Sequence, residues 1–254
     1  MGWNPEVYNK FKEERYEPFY DLQALIEIKP GLKVIDLGCG TGELTHKLSQ
    51  YLPACTILGI DSSAEMLQSA KEFANDQVQF ELTSIQSKIE ANSRYDLIFS
   101  NAALQWLNHH EILFPSIIKR LNPGGQLAVQ IPSNHDHFTH LALTNLAATE
   151  PYFTALKGWA RSVSVLKIDD YSKIFYENNS QKMVVFEKVY AHVLQDAAAV
   201  FNWTSGTALI RYLERLPEHL RDNFKADYKL KIEKEYPSSP VFYPFKRILM
   251  SGFF

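Results

Sequence analysis

The nonapeptide VIDLGCGTG at residues 34–42 constrains the fold of this 254-residue chain more than any other stretch. Branched apolar residues lead into glycines at every second position, Gly38, Gly40 and Gly42. A short branched apolar run is typical of a central parallel strand that is covered on both faces. Glycines directly after it allow positive φ and let the backbone approach a ligand or the next helix closely. The segment therefore predicts a buried strand, a tight turn and a ligand crevice beyond the strand end.

Apolar runs alternate with helical segments through the first half of the chain. Further strands are predicted at Thr56–Ile60, Val78–Leu82, Tyr95–Ser100 and Gln126–Ile131, and a helix at Glu111–Arg120 separates the last two. Strands that alternate with helices form parallel sheets with helices on both faces. The pattern therefore predicts an α/β fold built on a doubly wound parallel sheet.

The remaining segments add strands and helices to this sheet. A sixth strand is predicted at Val184–Val193, and a short last strand at Arg247–Phe253. Residues 197–235 have a helical pattern, and residues 1–29 are predicted as a helix that Pro18 interrupts.

The glycine spacing distinguishes between ligand classes. Dinucleotide sites need G-x-G-x-x-G with a pyrophosphate at the helix N-terminus, whereas this chain has G-x-G-x-G preceded by Asp36. A carboxylate at that place repels a pyrophosphate but suits a cation, such as the amino group of S-adenosylmethionine. The motif therefore favours a sulfonium cofactor over a nicotinamide cofactor or a purely structural turn.

Polar residues, Asp61 and Ser62, follow the second predicted strand. An acid about 20 residues after the glycines is placed to bond both ribose hydroxyls of a nucleoside cofactor. The alternative is that Asp61 or Ser62 only caps the helix that follows. Met66, near the start of that helix, is either an adenine contact or an ordinary core residue.

Several longer motifs resemble a known family. VIDLGCGTG, GIDSS with its following ML, YDLIFSNAALQWL and LNPGG are similar to class I S-adenosylmethionine-dependent methyltransferases. Within that class, WNPEVYNKF, the pair Glu14–Arg15, HEILFP, LAVQIPSN, FNWTSGTALIRYLERL and EKEYP resemble the trans-aconitate methyltransferases. The likeness extends over nearly the whole chain and is weakest at residues 150–185. It implies a Rossmann-like, doubly wound seven-stranded sheet, with six parallel strands, an antiparallel last strand and helical lid insertions.

The resemblance also implies how the chain is organised. It implies a single methyltransferase domain over residues 1–254, with a cofactor-binding core at 30–133 and helical lid or substrate elements at 1–29, 134–168 and 197–240. The S-adenosylmethionine contacts that it implies are Asp36, Gly38, Gly40, Asp61, Ser62, Met66, Ser84, Ile85, Asn101 and Leu104.

One position departs from the family pattern. Members usually carry an acid after the third strand, where it bonds the adenine amino group, and Ser84 stands at that place here. A hydroxyl can accept the same bond, and the backbone N–H of Ile85 can still meet the ring. We expect cofactor binding to persist, weaker by about 1 kcal/mol, the typical net value of one hydrogen bond.

The implied reaction, methyl transfer from a sulfonium to a carboxylate, is a direct displacement. A carboxylate is already ionised at pH 7, so no general base is needed and no catalytic acid–base residue is predicted. The enzyme has to align the reacting atoms and exclude water.

Gln105 and Trp106, just after the fourth strand, are predicted to hold the carboxylate through an amide and an indole N–H. The alternative for Trp106 is packing under the lid.

A tricarboxylate acceptor needs further partners for its non-reacting ends. Arg15 and Arg247 match family positions, and a guanidinium can pair with a carboxylate through two hydrogen bonds. Tyr8 can add a hydroxyl. For each arginine the alternative is a surface ion pair.

Three functions remain open from the sequence. The leading one is O-methylation of a small carboxylate such as trans-aconitate. The second is methylation of a malonyl group on acyl carrier protein, which needs a basic docking patch, and no run of Lys or Arg is evident. The third is a catalytically silent S-adenosylmethionine-binding protein, which the serine at position 84 favours.

Composition narrows the partners and the location. A formal net charge of −3 at pH 7 gives no electrostatic footprint for nucleic acid. The two cysteines form no disulfide framework. The histidines between His109 and His140, with Asp136 among them, do not have the ligand spacing of a metal site. No apolar run is long enough to span a bilayer. We therefore expect a cytoplasmic monomer or weak dimer with a small carboxylate substrate, and no metal, nucleic-acid or membrane partner.

Overall fold

The computed structural model describes residues 12–161, 163–206 and 208–254, and of residues 12–15 the backbone alone. The chain divides into two compact units. The sheet unit consists of Tyr16–Pro132, Ser164–Lys188 and Arg247–Phe254. Of the residues that the structure describes, the helical unit contains residues 12–15, Ser133–Val163 and Val189–Lys246.

The strands of the described residues form one seven-stranded sheet in the order β3-β2-β1-β4-β5-β7-β6. Strands β1 to β5 pair in parallel with their neighbours, and β7 runs antiparallel to β5. The predicted Rossmann-like, doubly wound sheet with an antiparallel last strand is therefore confirmed. The bounds are β1 Lys33–Leu37, β2 Thr56–Asp61, β3 Val78–Leu82, β4 Tyr95–Asn101, β5 Leu121–Pro132, β6 Lys182–Leu194 and β7 Val241–Phe253.

Helices connect these strands. Between β1 and β5 they alternate with the strands, and in the second half of the chain they come in groups. Their bounds are α1 Lys12–Gln23, α2 Glu43–Tyr51, α3 Ala64–Ala70, α4 Ile85–Glu90, α5 His110–Ile118, α6 Phe138–Ala147, α7 Tyr152–Ala155, α8 Ile168–Glu177, α9 Ala197–Ser205, α10 Ala208–Arg215 and α11 Glu218–Glu235. Short 3₁₀ turns lie at Lys71–Phe73 and Leu104–Trp106.

The sheet buries apolar side chains on both faces, because successive strand residues point to opposite sides. One face packs on α1 and α2, and its buried residues include Val34, Phe99 and Leu249 from the strands and Phe19 and Leu48 from the helices. The other face packs on α5 and α8, and its buried residues include Ile98 and Val129 from the strands and Phe114 and Tyr171 from the helices. We call the first of these the α1/α2 face.

An aromatic cluster holds the helical unit together. At its centre the buried hydroxyl of Tyr228 on α11 bonds the carbonyl of Thr139 on α6 at 3.1 Å and the hydroxyl of Thr204 on α9 at 3.0 Å. The ring of Phe224 stacks on Tyr212 at 5.7 Å between ring centroids. These contacts tie helices that are distant in sequence to one another.

The structure corrects several element bounds: the first helix ends at Gln23 rather than at residue 29, and β6 begins at Lys182 rather than at Val184. Three further differences involve prolines. Helix α1 continues through Pro18, because the fully buried Phe19 and Leu22 pack it on the sheet despite the missing backbone N–H. Strand β5 begins at Leu121 and strand β7 at Val241, earlier than predicted. Both extensions contain a proline, which obscures the strand pattern in the sequence.

Candidate active site

The glycine turn after β1 uses its glycines for different purposes. A Cβ on Gly38, where φ is +81°, would lie 2.2 Å from the Cβ of Ala103 in the turn after β4. A Cβ on Gly42 would lie 2.6 Å from the ring of Phe80. At Gly40, by contrast, a Cβ would meet nothing within 4 Å. The first two positions therefore allow close packing, and Gly40 borders open space that a ligand can occupy.

Asp61 at the end of β2 braces this turn. Its Oδ2 accepts the backbone N–H of Gly40 at 3.0 Å, and its Oδ1 accepts that of Ser63 at 2.9 Å. Each carboxylate oxygen keeps a lone pair for a ribose hydroxyl. The cap of α3 is Ser63, which accepts the N–H of Met66 at 3.2 Å, so the alternative that Asp61 or Ser62 caps this helix is wrong. Ser62 is exposed.

Asp36 is a buried acid on the α1/α2 face. Its side chain is 3% exposed, and its Oδ2 accepts a hydrogen bond from the hydroxyl of Thr45 at 2.6 Å. The pKa of Asp36 is raised to about 7, because burial raises it strongly, the hydrogen bond from Thr45 lowers it by less, and the negative charge of Asp61 adds to the increase. A cation placed beside this carboxylate would favour its ionised form. The position is therefore suited to an ammonium group.

The residues after β3 are those predicted to contact the adenine. Ser84 caps α4: its Oγ accepts the N–H of Ser87 at 3.1 Å and donates to the Ser87 hydroxyl at 2.9 Å. One lone pair of Ser84 remains for an adenine amino group. The side chain of Ile85 lies in the core, so only its backbone can meet the ring. Met66 is half-buried, and its neighbour Leu67 packs in the core instead.

The turn after β4 carries Gln105 and Trp106, the residues predicted to contact the methyl-accepting substrate. Gln105 Nε2 donates to the carbonyl of Ala102 at 2.6 Å, whereas its Oε1 is buried without a partner. The Oδ1 of Asn101 is likewise buried without a partner. Trp106 is 43% exposed, and Leu104 is a fully buried core residue. The turn therefore presents polar groups that are ready to bond a ligand.

His110 fixes this turn, a role that the sequence analysis did not find. Its imidazole is fully buried, with Nε2 2.9 Å from the Leu104 carbonyl and Nδ1 2.5 Å from the Tyr171 hydroxyl. The Tyr171 hydroxyl also accepts the N–H of Leu166 at 3.2 Å. Burial lowers the pKa of His110, so the ring stays neutral, donating to the carbonyl and accepting from the tyrosine. The sequence offered one weak sign of this role: His110 lies three residues after the apolar Leu107, at the start of a largely apolar helix.

The other residues predicted to contact the methyl-accepting substrate are Arg247, Arg15 and Tyr8. Arg247 is 6% exposed on β7 and lies opposite Pro132 of β5. Arg15 lies on α1 and its side chain is outside the described part of the chain, as is Tyr8 altogether. The sheet unit thus brings the predicted cofactor residues and Gln105, Trp106 and Arg247 to the carboxyl end of its parallel strands.

These observations agree with the cofactor that the sequence predicts. The open side of Gly40 leaves room for it, the buried Asp36 carboxylate suits its ammonium group, and Asn101 offers an unpartnered acceptor. In the described residues no three His, Cys, Asp or Glu side chains are grouped as a metal site requires.

The chain is similar to known proteins over nearly its whole length. Residues 28–184 match the family described as methyltransferase domain. A trans-aconitate 2-methyltransferase of Deinococcus radiodurans is 42% identical, over 98% of this chain and 97% of the relative. That of Paracidovorax citrulli is 37% identical over 92% and 90%, and that of Mycobacterium tuberculosis is 32% identical over 98% and 95%.

Solved structures share the fold. The YcgJ protein of Bacillus subtilis has a TM-score of 0.57 at 15% identity, over 94% of this chain and 98% of that one. Phosphoethanolamine N-methyltransferase 2 of Haemonchus contortus, in complex with phosphomonomethylethanolamine and S-adenosylhomocysteine, has a TM-score of 0.54 at 14% identity, over 93% and 52%. At these identities the likeness shows the fold alone.

The chain therefore belongs to the methyltransferase domain family. Within that family, relatives at 32–42% identity over nearly its full length place it among the trans-aconitate 2-methyltransferases. The predicted activity class, methyl transfer, and the predicted cofactor, S-adenosylmethionine, are confirmed.

Proposed function

We propose that this methyltransferase esterifies a carboxylate group of trans-aconitate, with S-adenosylmethionine as the methyl donor. The observation that carries the proposal is the full-length similarity to trans-aconitate 2-methyltransferases, which reaches 42% identity. The polar turn after β4 supports it, because its donors are neutral amide and indole groups that hold a carboxylate without cancelling its charge.

The reaction needs alignment rather than proton transfer. A bond forms between a carboxylate oxygen and the methyl carbon while the methyl–sulfur bond breaks, so the products are a methyl ester and a neutral thioether. S-adenosylmethionine, when bound, supplies the activated methyl group. Because the carboxylate is ionised at pH 7, the chain has no proton to remove, and its residues act by positioning the acceptor and excluding water.

Individual residues have distinct parts in this mechanism. Asp36 is placed to hold the ammonium group of the cofactor, and Asp61 the ribose. Gln105 uses one amide N–H on the carbonyl of Ala102 and keeps the other for a carboxylate oxygen. The indole N–H of Trp106, on the same turn, is the second donor.

The substrate is tested with methyl-labelled S-adenosylmethionine and a panel of di- and tricarboxylates together with malonyl acyl carrier protein. We expect a base-labile labelled ester, with the greatest yield from trans-aconitate. Label on the carrier protein alone would contradict the proposal. Tight cofactor binding without label on any acceptor would instead identify a catalytically silent protein.

The role of Trp106 is tested by Trp106→Phe, which removes the N–H and keeps an aromatic ring. We expect kcat to fall by more than about tenfold, the equivalent of 1.4 kcal/mol, with little change in cofactor affinity measured by calorimetry. Ile112→Val, at a side chain of α5 that is 64% exposed, is the control and should keep full activity. Unchanged turnover in Trp106→Phe would assign the indole to packing.

Further expectations belong to this proposal. They are a single methyltransferase domain over residues 1–254, with a cofactor-binding core at 30–133, and a cytoplasmic monomer or weak dimer that needs no nucleic acid. In the part of the chain that the structure describes, none of the helices combines the length and the apolar character needed to cross a membrane.

A further inference from the structure

Gln130 on β5 is a buried amide without a hydrogen-bond partner. Its side chain is 0% exposed, and neither Nε2 nor Oε1 has a partner. A buried amide that makes no hydrogen bond is costly, and most buried polar groups in folded proteins are bonded. An unbonded buried amide therefore needs a further hydrogen-bond partner, and a ligand can supply one.

Another glutamine of the same strand shows what a structural amide looks like here. Gln126 is 4% exposed, and its Nε2 donates to the Leu25 carbonyl and the Ser251 hydroxyl, both at 2.7 Å. Its Oε1 accepts the N–H of Glu27 at 3.0 Å. The two glutamines lie four residues apart, and therefore on the same face of β5, so the sheet environment alone does not explain the unbonded state of Gln130.

The strand register places Gln130 in a row of polar residues. It lies directly opposite Asn101 of β4, whose Oδ1 also has no partner. On its other side it lies opposite Leu249 of β7, two residues from Arg247. Residues opposite one another in neighbouring strands point to the same face, and so do residues two apart. Asn101, Gln130 and Arg247 therefore share the α1/α2 face near the carboxyl end of the parallel strands.

Gln130 lies apart from Asp36, the predicted partner of the cofactor ammonium group. Asp36 lies on β1, and β4 stands between β1 and β5. Neighbouring strands are about 5 Å apart, so the rows of Asp36 and Gln130 are separated by about 10 Å. A cofactor amino group held at Asp36 would therefore lie two strands away from Gln130, so Gln130 is not part of the predicted ammonium site.

We propose that Gln130 binds the methyl acceptor, with its Nε2–H donating to a carboxylate oxygen of that acceptor. This inference rests on the proposed function. The donor is neutral, so the bond orients the carboxylate without quenching its charge. Gln130 thereby becomes a specificity-determining residue on the strand side of the acceptor, beside the predicted contact from Arg247.

Gln130→Met tests the proposal, because methionine keeps the length and approximate volume of the side chain and removes the amide. We expect KM for trans-aconitate to rise at least tenfold, with Kd for S-adenosylmethionine unchanged within twofold and Tm no lower than in the wild type. Gln130→Glu, which places a like charge beside the carboxylate, should raise KM further.

Gln126→Met is the matched control. It removes the bonded amide and leaves three groups unpaired, so Tm should fall while KM stays unchanged. An unchanged KM in Gln130→Met would overturn the inference, and a raised Kd for S-adenosylmethionine would reassign Gln130 to the methionyl end of the cofactor.

Binding of trans-aconitate to the S-adenosylhomocysteine complex, measured by calorimetry, separates this inference from the proposed function. If the wild type neither binds nor methylates a carboxylate of the panel, the proposed function fails and this inference with it. If the wild type binds trans-aconitate and Gln130→Met binds it equally well, only the present inference fails.

Discussion

The two regions of the candidate site in the sheet unit differ in how their polar groups are bonded. Around the glycine turn the protein's own groups pair with one another: Asp61 with two backbone N–H groups, Asp36 with Thr45, and Ser84 with Ser87. At the ends of β4 and β5, buried amide atoms have no partner. The first region is therefore held by hydrogen bonds within the protein, whereas the second has amide groups that a ligand could bond.

The largest effect is expected at the glycine turn after β1. Two substitutions there test which glycine is needed for packing and which leaves room for a ligand. Gly38→Ala puts a methyl group 2.2 Å from the Ala103 Cβ at positive φ, so we expect a loss of roughly 3 kcal/mol or more, about 10 °C in Tm. Gly40→Ala meets no protein atom within 4 Å and should cost only about 1 kcal/mol.

Thermal unfolding and calorimetry with S-adenosylmethionine measure both variants. Gly40→Ala should keep its fold and lose cofactor affinity, because the added methyl fills space meant for the ligand. Equal destabilisation by the two substitutions would show that Gly40 is a packing position as well.

Asp36→Asn tests whether the buried acid serves the cofactor. The folded pKa of Asp36 is raised from its ordinary 3.8 to about 7, so ionisation destabilises the ligand-free protein as the pH rises across that window. We expect the variant to have a higher Tm than the wild type at pH 8, since an amide carries no charge to bury.

Cofactor affinity, unlike the stability of the ligand-free protein, should increase when Asp36 is ionised. Binding an ammonium group needs the ionised carboxylate, so wild-type affinity should increase as the pH rises through about 7, and the variant should bind at least about tenfold more weakly with a flat pH profile. A wild-type Kd that does not vary between pH 6 and 8 would remove Asp36 from the cofactor site.

Ser84→Asp is expected to have the smallest effect. Aspartate also caps a helix well, so Tm should hardly change, and the added acceptor for an adenine amino group should tighten S-adenosylmethionine binding by about 1 kcal/mol, roughly fivefold. Asn92→Asp, at an exposed position, controls for the added charge. Calorimetric affinities that do not differ between the two variants would place the adenine away from Ser84.

Local sequence patterns predicted β1 to β4 to within one residue, because each is a buried apolar run that ends in polar residues. They did not predict the early starts of β5 and β7 or the continuity of α1 through Pro18. Those boundaries depend on partner strands and on packing against the sheet, which no local pattern contains.

The candidate site divides in the same way. The predicted cofactor residues were found from glycine spacing and from acids at strand ends. His110 and Gln130 were missed, because their significance depends on residues that the fold brings near. The partner of the His110 ring, Tyr171, is 61 positions away.

The sequence by itself determined the parallel sheet, the glycine turn and the class of cofactor, because these rest on backbone freedom and on charge within a few residues. Only the tertiary structure decided what each polar side chain does. Gln126 and Gln130 are the same residue on the same face of one strand, yet one is bonded to Leu25, Glu27 and Ser251 and the other to nothing. The three partners of Gln126 are distant from it in sequence, so only the fold brings them to this side chain.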